Sequence, residues 1–169
     1  ELHRTIRDNT TSESQYKSYM QSLKNSVMTA FYTPAPVVRE IAASLREAGI
    51  VPKRILDPSA GMGEFIRSFD TIAAEGHTTF GFEKDILTGQ MLSALHPKDK
   101  IRIRGFEEIE TKLNGFFDVV SSNIPFGDVA VFDPVFSKTA EPARKVARMS
   151  LHNYFFVKGV DMLREGGVL

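Results

Sequence analysis

The residues best suited to chemistry lie in SSNIPFGD, residues 121–128, where a run of apolar residues stops abruptly. This stretch offers the amide of Asn123, the backbone carbonyl of Ile124, a backbone stiffened by Pro125 and the aromatic ring of Phe126. At the carboxyl end of a predicted strand, such a combination forms a platform that can hold a flat polar ring. The alternative is a strand-ending turn, in which Asn123 satisfies local backbone groups and Phe126 fills the core.

A glycine-rich segment, DPSAGMGEF at residues 57–65, is the second candidate. Gly61 and Gly63 allow a tight turn and a close approach of the backbone to a ligand, and Asp57 stands at the tip of the preceding strand. A dinucleotide-binding turn needs a third glycine or alanine where this chain has Ile66, so a pyrophosphate ligand is not expected. A carboxylate at this place would suit a cationic amino-acid group.

Glu83 follows Gly61 by 22 residues, in GFEKD at the end of another apolar run. Nucleoside-binding α/β folds place at this spacing the acid that accepts hydrogen bonds from ribose hydroxyls. Each signal alone has a simpler interpretation, because the glycines could form an ordinary turn and Glu83 could pair with Lys84 at the surface. Together they predict a nucleoside-like cofactor.

The elements that must position these groups alternate between short apolar strands and helices from Pro52 onward. Strands are predicted at residues 54–56, 78–82, 101–104 and 116–121, and helices at 64–75, 87–95 and 150–164. This β-α-β-α series predicts an α/β fold, with a mostly parallel sheet, helices on both faces and sites at the carboxyl ends of the strands. Residues 127–149 are predicted as one long irregular loop.

The N-terminal part, residues 1–29, is predicted as a flexible lead-in over residues 1–13 and then a helix. Apolar residues recur at three- and four-residue steps on one face of this helix: Tyr16, Tyr19, Met20, Leu23 and Val27. The catalytic unit is expected to span residues 30–169. It opens with a helix that Thr33 caps, Pro34 starts and Gly49 ends. The predicted buried stripe of this helix is Val37, Val38, Ile41, Ala42 and Leu45.

Composition narrows the classes of function. The 169 residues carry no net charge and no cysteine, which excludes disulfides and a cysteine nucleophile and fits a cytoplasmic protein. No apolar run is long enough to span a membrane. The histidines have no metal-ligand spacing, so no metal is expected: His3, His77, His96 and His152. Four basic residues against one acid at residues 137–148 offer a local contact for a polyanion, although a solvated helix face is the preferred interpretation.

Four motifs together carry a family resemblance. FYTP at 31–34, DPSAGMGEF at 57–65, GFEKD at 81–85 and SNIPF at 122–126 occur in the order and spacing of S-adenosylmethionine-dependent DNA adenine-N6 methyltransferases. The sequence resembles their catalytic domain over residues 28–169. The resemblance implies a Rossmann-like methyltransferase fold, truncated here at its C-terminal end where a strand begins near Gly167, and a place in restriction–modification.

The resemblance also implies roles for single residues. Cofactor-binding positions would be Thr33, Pro34, Asp57, Pro58, Ala60, Gly61, Gly63, Glu83, Phe106, Glu107 and Asn123, with Glu83 on the ribose and Phe106 on the adenine of S-adenosylmethionine. Catalytic positions would be Asn123, Ile124, Pro125 and Phe126. The chain departs from the family pattern twice. Gly105 stands where the family often has an acid, so either Glu107 takes the place of that acid or the backbone alone binds the adenine amino group of the cofactor. Ile124 stands where the family more commonly has the first of two prolines.

The implied reaction is direct methyl transfer to an exocyclic amine. The Asn123 side-chain oxygen and the Ile124 carbonyl would accept hydrogen bonds from the two N–H groups of this amine, while Phe126 stacks on the base. The implied partner is DNA with a flipped adenine, read by further domains of the same polypeptide or by a separate target-recognition region. Two alternatives stay open, namely methylation of a protein glutamine amide or of RNA, and a non-catalytic cofactor-binding or interaction module.

Overall fold

The structure is a computed structural model. It describes the backbone of residues 2–29, 32–127 and 129–169, and the side chains of residues 4, 6–22, 32–127 and 129–169. The strands are β1 Arg54–Asp57, β2 Thr78–Phe82, β3 Lys100–Arg102, β4 Phe117–Val120 and β5 Leu163–Val168. The helices are α1 Leu2–Asp8, α2 Glu13–Thr29, α3 Ala35–Glu47, α4 Glu64–Asp70, α5 Ile86–Leu95, α6 Pro134–Lys138, α7 Pro142–Ala147 and α8 Leu151–Met162.

One sheet of five strands organises the described residues, in the order β3-β2-β1-β4-β5 with every neighbouring pair parallel. The predicted α/β fold is therefore confirmed. β1 lies at the centre and pairs with β4 through Ile55 opposite Val119 and Leu56 opposite Val120. Because successive side chains of a strand point to opposite faces, each of these pairs belongs to a different core.

Apolar side chains cover both faces of the sheet. Ile55 and Val119 pack in the core with Val38 of α3 and Phe69 of α4. Leu56 and Val120 pack in the larger core on the other face, which includes the aromatic residues Phe80, Phe82, Phe106, Phe117, Phe136, Tyr154 and Phe155. Burial on both faces explains the nearly continuous apolar character of β1 and β4. In the described part of the chain, no helix combines the length and apolar character needed to cross a bilayer.

The N-terminal region differs from the prediction of a flexible lead-in, because Leu2–Asp8 form a helix. Arg7 explains this order: its guanidinium pairs with Glu13 at 2.6 Å and lies 4.0 Å from the centroid of the Tyr16 ring. These contacts join α1 to the start of α2. The prediction of α2 itself is confirmed, while the side chains of Leu23 and Val27 lie outside the described residues.

Helix α3 corrects three details of the prediction. Its N-cap is Pro34 rather than Thr33, and no side chain caps it. Val37 and Ile41, placed in the buried stripe, are 49% and 41% exposed, because the helix turns only Val38 and Ala42 fully towards the sheet. Gly49 ends the helix as predicted, with a φ of 82° and its N–H donating to the Arg46 carbonyl.

Three other boundaries also differ. Helix α4 stops at Asp70 instead of residue 75, and β5 begins at Leu163 instead of near Gly167. The segment predicted as a loop at residues 127–149 contains α6 and α7. Helix α6 forms because Asp133 caps it, accepting from the N–H groups of Val135 at 2.7 Å and Phe136 at 3.1 Å.

Candidate functional site

The candidate site lies at the carboxyl edge of the sheet. β1 and β4 are neighbours although β2 and β3 come between them in sequence, so the chain reverses its direction of travel across the sheet there. Loops diverge at such a point and leave a crevice for ligands. Asp57 ends β1, Glu83 follows β2 and residues 121–126 follow β4, so the three sequence motifs meet at this edge.

The glycine turn after β1 is tightly packed. Gly61 and Gly63 have positive φ angles of 53° and 81°, which favour glycine. A Cβ atom at Gly61 would lie 2.9 Å from Cε1 of Tyr32, and one at Gly63 would lie 2.4 Å from Nε2 of His96. Neither Tyr32 nor His96 was predicted to contact the turn. The glycines are therefore required by close side chains as well as by backbone conformation.

Glu83 is held by the backbone around it. Its Oε2 accepts from the Gly61 N–H at 2.9 Å, and its Oε1 accepts from the Asp85 N–H at 2.7 Å. Burial raises its pKa, and these N–H groups oppose the rise because they favour the charged form. The carboxylate is thus aimed and half-buried, and its remaining lone pairs can accept from the hydroxyls of a nucleoside.

Asp57 is a buried carboxylate with one unsatisfied oxygen. Its side chain is enclosed at 1% exposure, and Oδ1 accepts from the Ser59 N–H at 3.1 Å. No described residue forms a hydrogen bond with Oδ2. Burial raises the pKa of Asp57 to about 7, with a smaller contribution from the charge of Glu83, while the Ser122 hydroxyl and the Ser59 N–H oppose the rise. A cationic ligand group would satisfy this oxygen.

The loops after β1 and β4 are joined directly. The Ser122 hydroxyl donates to the Ser59 carbonyl at 3.3 Å, 63 residues away in sequence. The hydroxyl also influences the Asp57 carboxylate. Sequence reasoning did not single out Ser122, because nothing in the local pattern separates it from Ser121. The bond places the glycine turn beside the SNIPF stretch.

The SNIPF residues divide between core and solvent. Ile124 packs against the larger core, and Asn123 is half-buried. Pro125 is exposed, and the ring of Phe126 is 68% exposed, with its centroid 6.4 Å from that of His152. Phe126 therefore does not fill the core, contrary to the simple turn interpretation. The ring is exposed at the surface, as a platform for a flat ligand requires.

A cleft of about 1090 Å³ runs along this edge. Residues from four regions line it: Pro58 and Ser59 after β1, Phe82 to Ile86 after β2, Arg104 to Glu108 after β3, and Pro125 with Val129 to Phe132 after β4. The rest of its wall is formed by Ser18, Gln21 and Ser22 of α2, Pro134 of α6, and Leu151 and Phe155 of α8. Phe132 is 75% exposed, and neither it nor α2 was predicted to belong to the site.

Phe106 and Glu107 are both at the cleft but are constrained by neighbours. The Phe106 ring is 1% exposed and packs against Phe82 and Phe155, so it forms the floor of the cleft. Glu107 pairs with Lys84 at 2.9 Å. Its carboxylate occupies the space that a Cβ atom at Gly105 would need, so glycine at this position makes room for the Glu107 side chain.

The remaining predicted cofactor positions are distributed around the turn. Pro58 and Ala60 are buried, and the Ala60 N–H donates to the Phe82 carbonyl at 2.8 Å, which ties the turn to β2. Thr33 is half-buried and Pro34 is exposed. Their neighbour Tyr32 is the residue that contacts Gly61.

Two charged regions lie outside this cleft, a cluster of acids with a histidine and a basic stretch. Asp70, His96 and Asp99 come within 4.8 Å of one another, a proximity that linear spacing did not show. His96 and His77 are each paired with one of these carboxylates, at 3.2 Å and 3.1 Å. In the basic stretch of residues 137–148, Arg144 binds Asp161 and is unavailable to a polyanion.

Comparisons with known proteins agree with this fold. The type I restriction-modification system methyltransferase subunit of Streptococcus thermophilus matches with a TM-score of 0.60 at 16% identity, over 90% of this chain and 37% of that one. A Pyrococcus horikoshii protein assigned as an RNA methyltransferase matches with a TM-score of 0.56 at 20% identity, over 79% of this chain and 58% of that one. The chain has the Rossmann-like fold of these methyltransferases.

Sequence comparison finds one relative. The chain is 26% identical over 143 residues to the defense against restriction protein B of Escherichia phage P1. This match covers 84% of the chain but 6% of the phage protein, so the chain spans a small part of the length of that relative. No family model matches the chain.

Proposed function

We propose that the chain is the catalytic domain of an S-adenosylmethionine-dependent methyltransferase that modifies the N6 amino group of adenine in DNA. The observation that carries the proposal is the bond between Ser122 and Ser59. It holds a carboxylate suited to a cationic cofactor and an Asn-Ile-Pro-Phe platform suited to an amino group side by side. Methyl transfer needs this proximity, because donor and acceptor must be aligned.

The residues present fit the cofactor. The unsatisfied Oδ2 of Asp57 offers a partner to its cationic amino-acid part, and Glu83 offers acceptors to its ribose. The cofactor, when bound, supplies an electrophilic methyl group on a sulfonium sulfur. The fold supports this assignment, since the compared structures named above are described as methyltransferases.

The SNIPF platform would prepare the acceptor nitrogen. An exocyclic amine on a purine is a poor nucleophile because its lone pair is delocalised into the ring. The Asn123 side-chain oxygen and the Ile124 carbonyl would accept hydrogen bonds from its two N–H groups and draw the nitrogen towards tetrahedral geometry. Pro125 restricts the turn, and the exposed ring of Phe126 would stack on the base.

DNA is the favoured substrate for two reasons. The phage relative is named for defence against restriction, and one structural neighbour is a restriction-modification methyltransferase subunit. In addition, Phe132 lines the cleft with an exposed aromatic ring, and the exposed ring of Phe126 follows the cleft residue Pro125; an unstacked base binds such aromatic faces well. A glutamine side chain has no ring that would use them.

Replacement of Asn123 by alanine tests the proposal. We expect Asn123→Ala to bind S-adenosylmethionine within about threefold of the wild type and to lose roughly 10²–10³-fold in methyl transfer, because one acceptor for the amine is gone. Asn153→Ala, an exposed asparagine on α8, is the matched control. Tritiated methyl transfer is measured on poly(dA·dT), poly(dG·dC), an RNA and a glutamine peptide. Equal labelling of poly(dG·dC), or labelling of the peptide or the RNA alone, would contradict the adenine-DNA assignment.

A further inference from the structure

Helix α2 packs beside the cofactor half of the cleft. Ser22, near the middle of α2, is a polar residue with 6% exposure. Its hydroxyl donates to Oδ2 of Asp85 and accepts from the Leu87 N–H at 3.2 Å. Tyr19, one turn earlier, accepts from the Gln90 amide at 3.1 Å. These bonds fasten α2 to α5 and to the loop that precedes it.

The Ser22 bond continues into the site through consecutive hydrogen bonds. Asp85 caps α5 by accepting from the Thr88 N–H at 2.9 Å, so Ser22 holds a carboxylate that is already fixed at one oxygen. The Asp85 N–H donates to Oε1 of Glu83, and the Gly61 N–H donates to Oε2. A continuous path therefore joins α2 to the glycine turn, across 63 residues between Ser22 and Asp85.

We propose that Ser22 is a positioning residue for the ribose of the cofactor, which makes α2 part of the cofactor-binding unit. The inference rests on the proposed function. Glu83 can accept from ribose hydroxyls only with the lone pairs that Gly61 and Asp85 leave, so the direction of those lone pairs depends on where the Asp85 backbone lies. Ser22 sets that position from outside the loop. Without the Ser22 hydroxyl, the Asp85 carboxylate loses one of its hydrogen bonds. The Asp85 backbone is then held less firmly, and so is the orientation of the Glu83 carboxylate that accepts from it.

The test compares ligands with and without ribose hydroxyls. The wild-type chain should bind S-adenosylhomocysteine roughly 10–100-fold more tightly than the 2′,3′-dideoxy analogue, because hydrogen bonds to a charged group are strong. Ser22→Ala should reduce this preference about five- to tenfold, with affinity for the dideoxy analogue unchanged. A merely structural loss would weaken both ligands equally.

Two control variants isolate the effect. Ser18→Ala removes a hydroxyl from the same helix and the same cleft wall, and Tyr19→Phe removes a bond between α2 and α5 that does not lead to Glu83. Both should keep the wild-type preference. If Ser22→Ala also keeps it while the wild type binds normally, the inference is overturned and the proposed function stands. If the folded wild type binds neither ligand, the proposed function is overturned.

Amide hydrogen exchange supplies a readout that needs no ligand. Ser22→Ala should accelerate exchange at the Asp85 and Gly61 amides severalfold relative to Tyr19→Phe, because both amides donate to Glu83. Unchanged protection at these amides would overturn the inference even if cofactor affinity fell.

Discussion

Two buried aspartates on adjacent strands differ in how the protein treats them. Asp118 in β4 is 8% exposed, and its carboxylate accepts from the N–H groups of Lys53 and Arg54 at 2.9 Å and 2.7 Å and from the Arg54 and Arg164 side chains. Burial opposes its charge, but these donors lower the pKa of Asp118 to about 2. Asp118 lies beside the amino end of β1, whereas Asp57 lies at the carboxyl end of β1. Only one carboxylate oxygen of Asp57 accepts a hydrogen bond, and the pKa of Asp57 is raised to about 7.

We propose that this contrast separates a structural carboxylate, Asp118, from a ligand-binding one, Asp57. Asp118 joins the amino ends of β1 and β4 to β5 and is satisfied by the chain itself. Asp57 is more deeply buried, yet the described residues leave Oδ2 without a partner. An unpaired buried oxygen costs stability, typically about 1–3 kcal/mol. The partners of Asp118 belong to the fold, whereas we propose that the partner of Asp57 is a ligand.

The largest expected effect is the loss of cofactor affinity in Asp57→Asn. The variant cannot provide a charge for the cationic group, so we expect the Kd for S-adenosylmethionine to rise about 100–1000-fold, or about 3–4 kcal/mol. Calorimetric titration measures it. The isosteric change keeps the volume, and Asp118→Asn serves as the control, since its affinity should match the wild type. Equal affinity of Asp57→Asn and wild type would break the comparison.

Asp118→Asn should lower the stability of the fold. Asp118→Asn removes the charge that binds Arg54 and Arg164, and we expect a loss of about 2 kcal/mol in the free energy of unfolding at pH 7. Urea titration followed by circular dichroism measures the change. Because the native pKa of Asp118 is depressed, the wild-type contribution should disappear as the pH falls from about 4 to 2. A stability loss in Asp57→Asn as large as that in Asp118→Asn would contradict the division of roles.

The smallest predicted effect is a pH dependence of cofactor affinity. The cationic group binds the ionised form of Asp57, and burial raises the pKa of this residue to about 7. Below that pH a proton must leave before binding, so the Kd should rise by up to about tenfold, or about 1.4 kcal/mol, as the pH falls from 7 to 6. Titrations in two buffers of different ionisation enthalpy would detect the released proton. Asp57→Asn should show no such dependence, and a flat wild-type profile would refute the assignment.

The fold was predictable from sequence because the inner strands β1, β2 and β4 each contain consecutive buried residues, whereas the edge strands β3 (KIR) and β5 (LREGGV) are largely polar or exposed. The strand tips that carry Asp57, Glu83 and Asn123 followed directly. Helix α1 was not predictable in this way, since its order comes from the ion pair and ring contact of Arg7. The exposure of Val37 and Ile41 shows that a helical apolar stripe can be wider than the surface that covers it.

The missed parts of the site share one physical cause. Ser22 bonds to Asp85, Ser122 bonds to Ser59, and Tyr32 contacts Gly61. These contacts exist only in the folded chain, and each of the two serine bonds joins residues 63 positions apart in sequence. A serine that bonds across such a distance has the same local pattern as one that faces solvent. Helix α6 was missed for a related reason, because Asp133 at its N-cap also accepts from Tyr154 and Lys158 of α8.

The central place of β1 has a consequence for synthesis. Of the five described strands, β1 leaves the ribosome first and β2 can pair with it soon afterwards, but its other neighbour begins at Phe117, 60 residues after Asp57. At roughly 5–20 residues per second, one edge of β1 stays open for about 3–12 s. During that interval Ile55 and Leu56 present an unpaired apolar edge. The same strand that carries Asp57 is therefore a segment of the nascent chain that we expect to need chaperone protection.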